Sequence, residues 1–280
     1  MIESLVIMAA VNGARRMPTD HPALPITPGD IAMACAGCFA SGAQAAHVHV
    51  RDAAGRHSLD PKLYSDLLAT LLTEVGHDPV IQVTTEAVGR YGPAEQMALV
   101  RTLKPEAVSI AVKEMIPGND AVATARDFYR WAHRERIAVQ HIIYTVDELA
   151  RFLALADDGV FPGRRHALIY PLGRYTAGQE SRPGEMLPLL HLATTSDWAD
   201  RLDWMVCAFG RAETVALTTA AALGGHCRIG FENNLLNSDG SVAANNAERV
   251  KELRRALTYT QRPPASRQEV MRVLGAGAFE

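Results

Sequence analysis

The chain has 280 residues and a formal net charge of −3, with 48% hydrophobic, 21% charged and 6% aromatic residues. That apolar share excludes intrinsic disorder, and without a positive excess the chain is no strongly basic nucleic-acid binder. No run approaches the ~18 apolar residues of a membrane span, and length permits either two domains or one α/β barrel of roughly 250 residues.

The opening MIESLVIMAAVNGARR has Glu3 ahead of its apolar stretch and no basic leader, so it reads as a buried strand over Ser4 to Ala10, not a signal peptide. Pro28-Gly29-Asp30 opens a helix to about Ser41, with Thr27 as N-cap. It contains Cys35 and Cys38, a lone C-x-x-C better read as packed helical residues than as a thiol site. Four cysteines in all form no disulfide framework, so a cytoplasmic protein with reduced thiols is expected. Further strands are expected over Ala45 to Arg51, Val80 to Thr84, Ala107 to Val112, Ile137 to Tyr144, Ala167 to Pro171, Asp203 to Ala208 and Cys227 to Glu232. Several are continuous apolar runs, as parallel strands covered on both faces require. Asp60-Pro61, Pro93, Asp120, Asp147, Gly210 and Asn245 mark later helix starts. Eight strands alternating with helices predict a single (β/α)8 TIM barrel over residues 1–280. The rival open doubly wound sheet would want a glycine-rich first turn, and Val11 to Arg16 has no G-x-G-x-x-G.

The sharpest motif is His47-Val48-His49-Val50-Arg51-Asp52. Alternation on a strand puts His47, His49 and Arg51 on one face. Two imidazoles near the C-terminal end of a barrel strand can converge on Zn²⁺, with a third ligand leaving an open position; alternatively they are packed on polar partners. In the last strand Arg228, Gly230 and Glu232 alternate onto one face. In a closed barrel the first strand neighbours both the second and the eighth, so Glu232 can approach the histidines. Read alone, it could equally be a solvated carboxylate.

HVHVRD, the AAVNGA of the first strand, LPITP before the first helix, the PLG after the sixth strand, AFGR after the seventh and GGHCRIGFENN together resemble the β-keto acid cleavage enzymes across nearly the whole chain. The resemblance implies a (β/α)8 barrel, a homotetramer, with zinc held by His47, His49 and Glu232. It implies conversion of a β-keto acid and acetyl-CoA into acetoacetate and a new acyl-CoA. It also implies that Arg228 holds a negative oxygen, that Thr84 donates a hydrogen bond to substrate, and that Ser109 fills a small hydroxyl position on the fourth strand.

Two departures stand out. Where a family member acting on an amino-substituted β-keto acid carries a Glu, this chain has Arg15, which pairs with carboxylates and predicts an anionic or polar substrate tail. It could instead face solvent or the CoA phosphates. Many relatives carry Asp after the ligand Glu. Here Asn233 stands there, and an amide is no general base. Asn233 then orients substrate while another group moves the proton, or Glu86, which alternates with Thr84, takes that part; Glu86 could also be ion-paired with Arg51 or Arg90. The rival functions are another zinc barrel lyase or hydrolase without CoA, and a degenerate ligand-binding barrel. His226 reads as structural, His141 and Arg211 as open positions, and Lys251 to Arg255 as a solvated helix face.

Overall fold

The computed structural model describes residues 3–279. Eight parallel strands close into a barrel: β1 (Ile7–Ala10), β2 (Ala45–Val48), β5 (Val80–Thr84), β6 (Ala107–Ala111), β7 (Ala138–Ile142), β8 (His166–Leu172), β9 (Leu202–Ala208) and β10 (His226–Ile229). β1 is hydrogen-bonded to both β10 and β2, which closes the cylinder. The predicted (β/α)8 fold is therefore the observed one.

Helices cover the outside. Thr27 caps α1 (Pro28–Ala40) with a complete capping box. Asp60 caps α2 (Pro61–Val75), and α3 (Pro93–Leu103) also begins at a proline. α4 (Val112–Met115), α5 (Val122–Arg134), α6 (Val146–Asp157), α7 (Met186–Thr195), α8 (Glu213–Ala222), α9 (Asn246–Ala256) and α10 (Arg267–Val273) follow. α4 starts at Val112, one residue short of the expected strand end; α4, α7 and α10 have no start that the sequence reading marked. Cys35 and Cys38 lie buried in α1, and burial pushes the Cys38 thiol up to about 12.

The strands alternate as a filled barrel demands. Outward residues such as Val48, Val83 and Ile110 pack on the helices. Inward residues such as Met8, Ala45, Val80, Ala107 and Met205 form a second core, closed from below by Val270, Val273 and Leu274 of α10. Five expected strands are shorter than predicted: β1 begins only at Ile7, β6 stops at Ala111, β7 spans Ala138–Ile142, and two more lose the ends that carry site residues. The run from Ala45 leaves the barrel after Val48, and β3 (Val50–Arg51) pairs antiparallel with β4 (His57–Ser58) as a separate hairpin. β10 ends at Ile229, because Gly230 adopts φ +146°. A Cβ there would lie 2.4 Å from the Ala10 carbonyl oxygen.

Buried histidines make this fold acid-sensitive. Burial chiefly pushes His226 down to about 3 and His166 to about 4. The unfolded chain, titrating near 6.5, binds more protons between those values. Their contribution is complete above about pH 6.5 and is lost as pH falls toward 3–4. His226 Nδ1 accepts a hydrogen bond from Val6 N at 3.1 Å, which an Asn oxygen can imitate. His226→Asn is expected to flatten the stability slope between about pH 4 and 6 by ~1.4 kcal/mol per pH unit, read from urea titrations. An unaltered slope would contradict a neutral buried imidazole.

Candidate active site

The C-terminal mouth of the barrel holds a cavity of about 340 Å³ lined by His47, His49, Thr84, Glu86, Arg228 and Glu232, with Tyr144, Arg174 and Phe209 also in its wall. A second cavity, of about 300 Å³, adjoins it and is lined by Asn12 to Arg16. The two share Glu86, Arg174, Phe209 and Glu232.

His47 points inward from β2. Its Nδ1 lies 2.8 Å from Gln82 Oε1, while Gln82 Nε2 donates to Gln140 Oε1 at 3.1 Å. With its amide hydrogens committed onward, Gln82 accepts at Oε1, so His47 carries its proton on Nδ1 and offers the Nε2 lone pair. His49 follows the end of β2 and has no barrel neighbour. Asn12 supplies one instead: its Nδ2 donates to the His49 carbonyl at 2.9 Å and its Oδ1 accepts from His49 N at 3.2 Å. Glu232 sits on the turn after β10. That turn is pinned by Asn246 Oδ1 on Phe231 N at 2.8 Å, and by Glu213 Oε1 on Gly230 N at 3.3 Å. Gly13, at φ +65°, lies against the Glu232 stem, where a Cβ would fall 2.6 Å from Glu232 Cγ.

Three donor atoms converge. His47 Nε2 and His49 Nε2 are 3.1 Å apart, and Glu232 Oε2 is 3.7 and 3.6 Å from them. Glu232 Oε2 is buried without a hydrogen-bond partner. Metal–ligand bonds of ~2.0–2.1 Å in tetrahedral geometry place ligand atoms roughly 3.4 Å apart, so the triangle fits a small divalent cation. Burial, then the Arg228 guanidinium, hold His47 well below the usual imidazole range, keeping it a neutral Lewis base. Burial raises the Glu232 carboxyl, but Arg228, His49 and His47 outweigh it and hold it well below the usual carboxylate range. Arg228 Nη2 reaches Glu232 Oε1 at 3.3 Å and Cys207 Sγ at 3.2 Å.

Glu86 is the second carboxylate of the site. Its Oε2 lies 3.8 Å from His49 Nδ1, and its Oε1 accepts from Arg174 Nη2 at 3.0 Å. Its ion-pair partner is thus Arg174, not Arg51 or Arg90. Arg51 donates to the Gly13, Arg16 and Gly55 carbonyls and braces the loop after β1, while Asp52 pairs with Arg56 at 2.9 Å. Thr84 Oγ1 accepts from Glu86 N at 3.0 Å, leaving its own hydrogen free to donate.

Of the residues singled out in the sequence, His47, His49, Glu232, Arg228, Thr84 and Glu86 meet around one cavity. Arg15 is exposed and lines the adjoining one. Ser109 and Asn233 are fully buried and line neither; their side-chain polar atoms have no partner. His141 faces outward among Tyr129, Phe152 and Phe161. Sequence reading missed Asn12, Gln82 and Arg174. Arg174 directly follows the PLG motif, and that adjacency was its one available signal.

A parallel barrel with a buried His₂–carboxylate donor set at its C-terminal mouth defines a class, the barrel enzymes with a candidate metal centre. The chain belongs to the beta-keto acid cleavage enzyme family, whose family model matches residues 4–275. It is 25% identical to the 3-oxoadipate:acetyl-CoA acetyltransferase of Cupriavidus necator, over 100% of this chain and 98% of the relative. It is 24% identical to the 3-keto-5-aminohexanoate cleavage enzyme of Acetoanaerobium sticklandii, over 98% and 99%. The 3,5-dioxohexanoate:acetyl-CoA acetone transferase of Paraburkholderia graminis is 22% identical over 97% and 96%. Among solved structures, the binary complex of ObcA with oxaloacetate superposes with a TM-score of 0.72 at 14% identity, covering 90% of this chain and 67% of that one. Among the described residues, no helix is long and apolar enough to cross a membrane.

Proposed function

We propose that this enzyme converts a β-keto acid with an anionic tail, together with acetyl-CoA, into acetoacetate and a new acyl-CoA, at a zinc centre of His47, His49 and Glu232. The observation that carries the reading is the buried triangle of donor atoms, with Glu232 Oε2 unpartnered. Acetyl-CoA as cosubstrate is supported by the names of two relatives. Zinc, when bound, supplies a Lewis acid for the keto and carboxylate oxygens.

The rest falls to the chain. Glu86 takes the C2 proton of the β-keto acid. C2 attacks the acetyl carbonyl and expels the CoA thiolate. The thiolate adds to the original keto carbon, the bond from that carbon to C2 breaks, and C2 recovers its proton as acetoacetate departs. Arg228, locked to Glu232 and Cys207, presents fixed positive charge to the developing enolate oxygen. Thr84 donates its free hydrogen to substrate. Ser109 supports the barrel wall beside Thr84, its partner in register. The backbone carbonyl of Asn233 accepts from Arg16 Nη2 at 3.1 Å and so ties the loop after β1 to the turn that bears Glu232, a contact that does not depend on the Asn side chain. In keeping with the family resemblance, the enzyme acts as a cytoplasmic homotetramer, with its cysteines as free thiols.

The tail preference rests on Arg15 and Arg16 in the adjoining cavity. A relative named for 3-oxoadipate, a β-keto dicarboxylate, supports it. Arg15→Glu is expected to lower kcat/KM on a β-keto dicarboxylate about tenfold, the scale of a solvent-screened charge reversal, and to spare neutral β-keto acids. An unchanged substrate profile would remove Arg15 from specificity. The whole reading is tested by metal analysis of the purified protein, combined with a screen of β-keto acids that follows acetoacetate and the new acyl-CoA. No bound zinc would overturn the metal centre, and metal-dependent turnover that ignores acetyl-CoA would favour a zinc lyase or hydrolase instead.

A further inference from the structure

Glu86 lies beyond the end of β5, where no strand ladder holds the backbone, yet its flanks are fastened on every side. Thr85 N and Oγ1 donate to the Ser109 carbonyl at 3.3 and 3.1 Å. The Glu86 carbonyl accepts from His57 Nε2 of the β3–β4 hairpin at 2.9 Å. The Thr85 carbonyl accepts from Gln96 Nε2 of α3 at 2.7 Å. Ala87 N donates to Glu114 Oε2 of α4 at 3.0 Å. Gln96 and Glu114 are joined in turn, Nε2 to Oε2 at 2.9 Å. Gln96 is fully buried.

Three features say that this is more than helix capping. The α3 N-terminus is already served by Glu95, whose Oε2 accepts from Gly92 N at 2.9 Å. A fully buried amide tied to a half-buried carboxylate is also a costly way to fill a helix–barrel interface that apolar side chains would fill well. Then Val88, a β-branched residue, is held at φ +48°. That conformation costs roughly 1–2 kcal/mol, and such strain persists only where surrounding contacts over-determine it.

We infer that Gln96 and Glu114 are positioning residues: they form a frame that fixes Glu86 against His49 and the substrate cavity in place of a strand ladder. This rests on the proton-transfer role proposed for Glu86. The frame sets where the carboxylate points, and a misplacement near 1 Å can cost ~100-fold in rate. The donor triad sits on β2, the residues that follow it and the turn after β10, none of which Gln96 or Glu114 bonds, so the ligand set itself is left in place when the frame is altered.

Gln96→Leu removes both amide donors at similar volume. It is expected to lower kcat ~10–100-fold, with KM within about twofold and metal content and melting temperature near wild type. Exchange of the β-keto acid's C2 proton into D2O, measured without acetyl-CoA, should fall by the same factor. Glu114→Leu should behave alike, whereas Glu114→Gln keeps an acceptor oxygen for Ala87 N and Gln96 and should stay within about threefold. If Gln96→Leu does not fold, Gln96→Met carries the same test. Unchanged kcat in the leucine variants, a loss carried by KM alone, or an equal loss in Glu114→Gln would overturn the frame while leaving Glu86 its role. Wild-type turnover in Glu86→Gln would instead overturn the underlying reading, and the frame with it.

Discussion

His49→Ala is expected to leave the purified protein with little metal and to lower kcat/KM about 10³–10⁴-fold, the rate equivalent of the several kcal/mol a Lewis acid supplies. The expectation follows from the triangle of His47 Nε2, His49 Nε2 and Glu232 Oε2, whose edges are 3.1, 3.6 and 3.7 Å. Two donors cannot close a site that the third completes. A second readout does not depend on turnover. A ligand that binds only the folded state at ~100 times its Kd adds about 2.7 kcal/mol of stability. Zinc should therefore raise the wild-type melting temperature by several degrees and leave that of His49→Ala unmoved. Equal zinc content in the two proteins would dismantle the proposed centre. Glu232→Gln should be worse for stability, because it leaves the buried Arg228 without its carboxylate.

Glu86→Gln is expected to lower kcat ~10²–10⁴-fold, the range of general acid–base catalysis, while zinc stays bound. The amide keeps the size of the side chain and can still accept from Arg174, but it cannot take a proton. Asn233→Asp is the opposing arm. Its side chain lines neither cavity and is fully buried, so an added carboxylate there should destabilise the fold and bring no gain in rate. A faster Asn233→Asp enzyme beside an unimpaired Glu86→Gln would move the proton-transfer role to position 233.

Sequence reading reached the barrel because each strand–helix unit is written locally. Proline and N-cap signals open α1, α2 and α3 where they were expected. Apolar runs mark strands buried on both faces. The helices it did not mark include α4, a single turn at the end of β6, and α10, whose apolar side caps the barrel floor. The site was legible where side chains alternate on a strand. His47, Thr84 and Arg228 all face inward as the period of two requires.

Alternation was the wrong reason for the other two donors. His49 and Glu232 lie beyond the ends of their strands, held by Asn12 and by the Asn246–Glu213 bonds around Gly230. The partner of Glu86 was likewise settled in space, by an arginine 88 residues away. By itself, then, the sequence determined the barrel, its family and which residue types are present to bind metal and move protons. Only the tertiary structure decided which donor atoms converge, which tautomer His47 adopts and which guanidinium meets Glu86. Strand and helix signals act between near neighbours along the chain, whereas a site is closed by contacts between segments that the fold alone brings together.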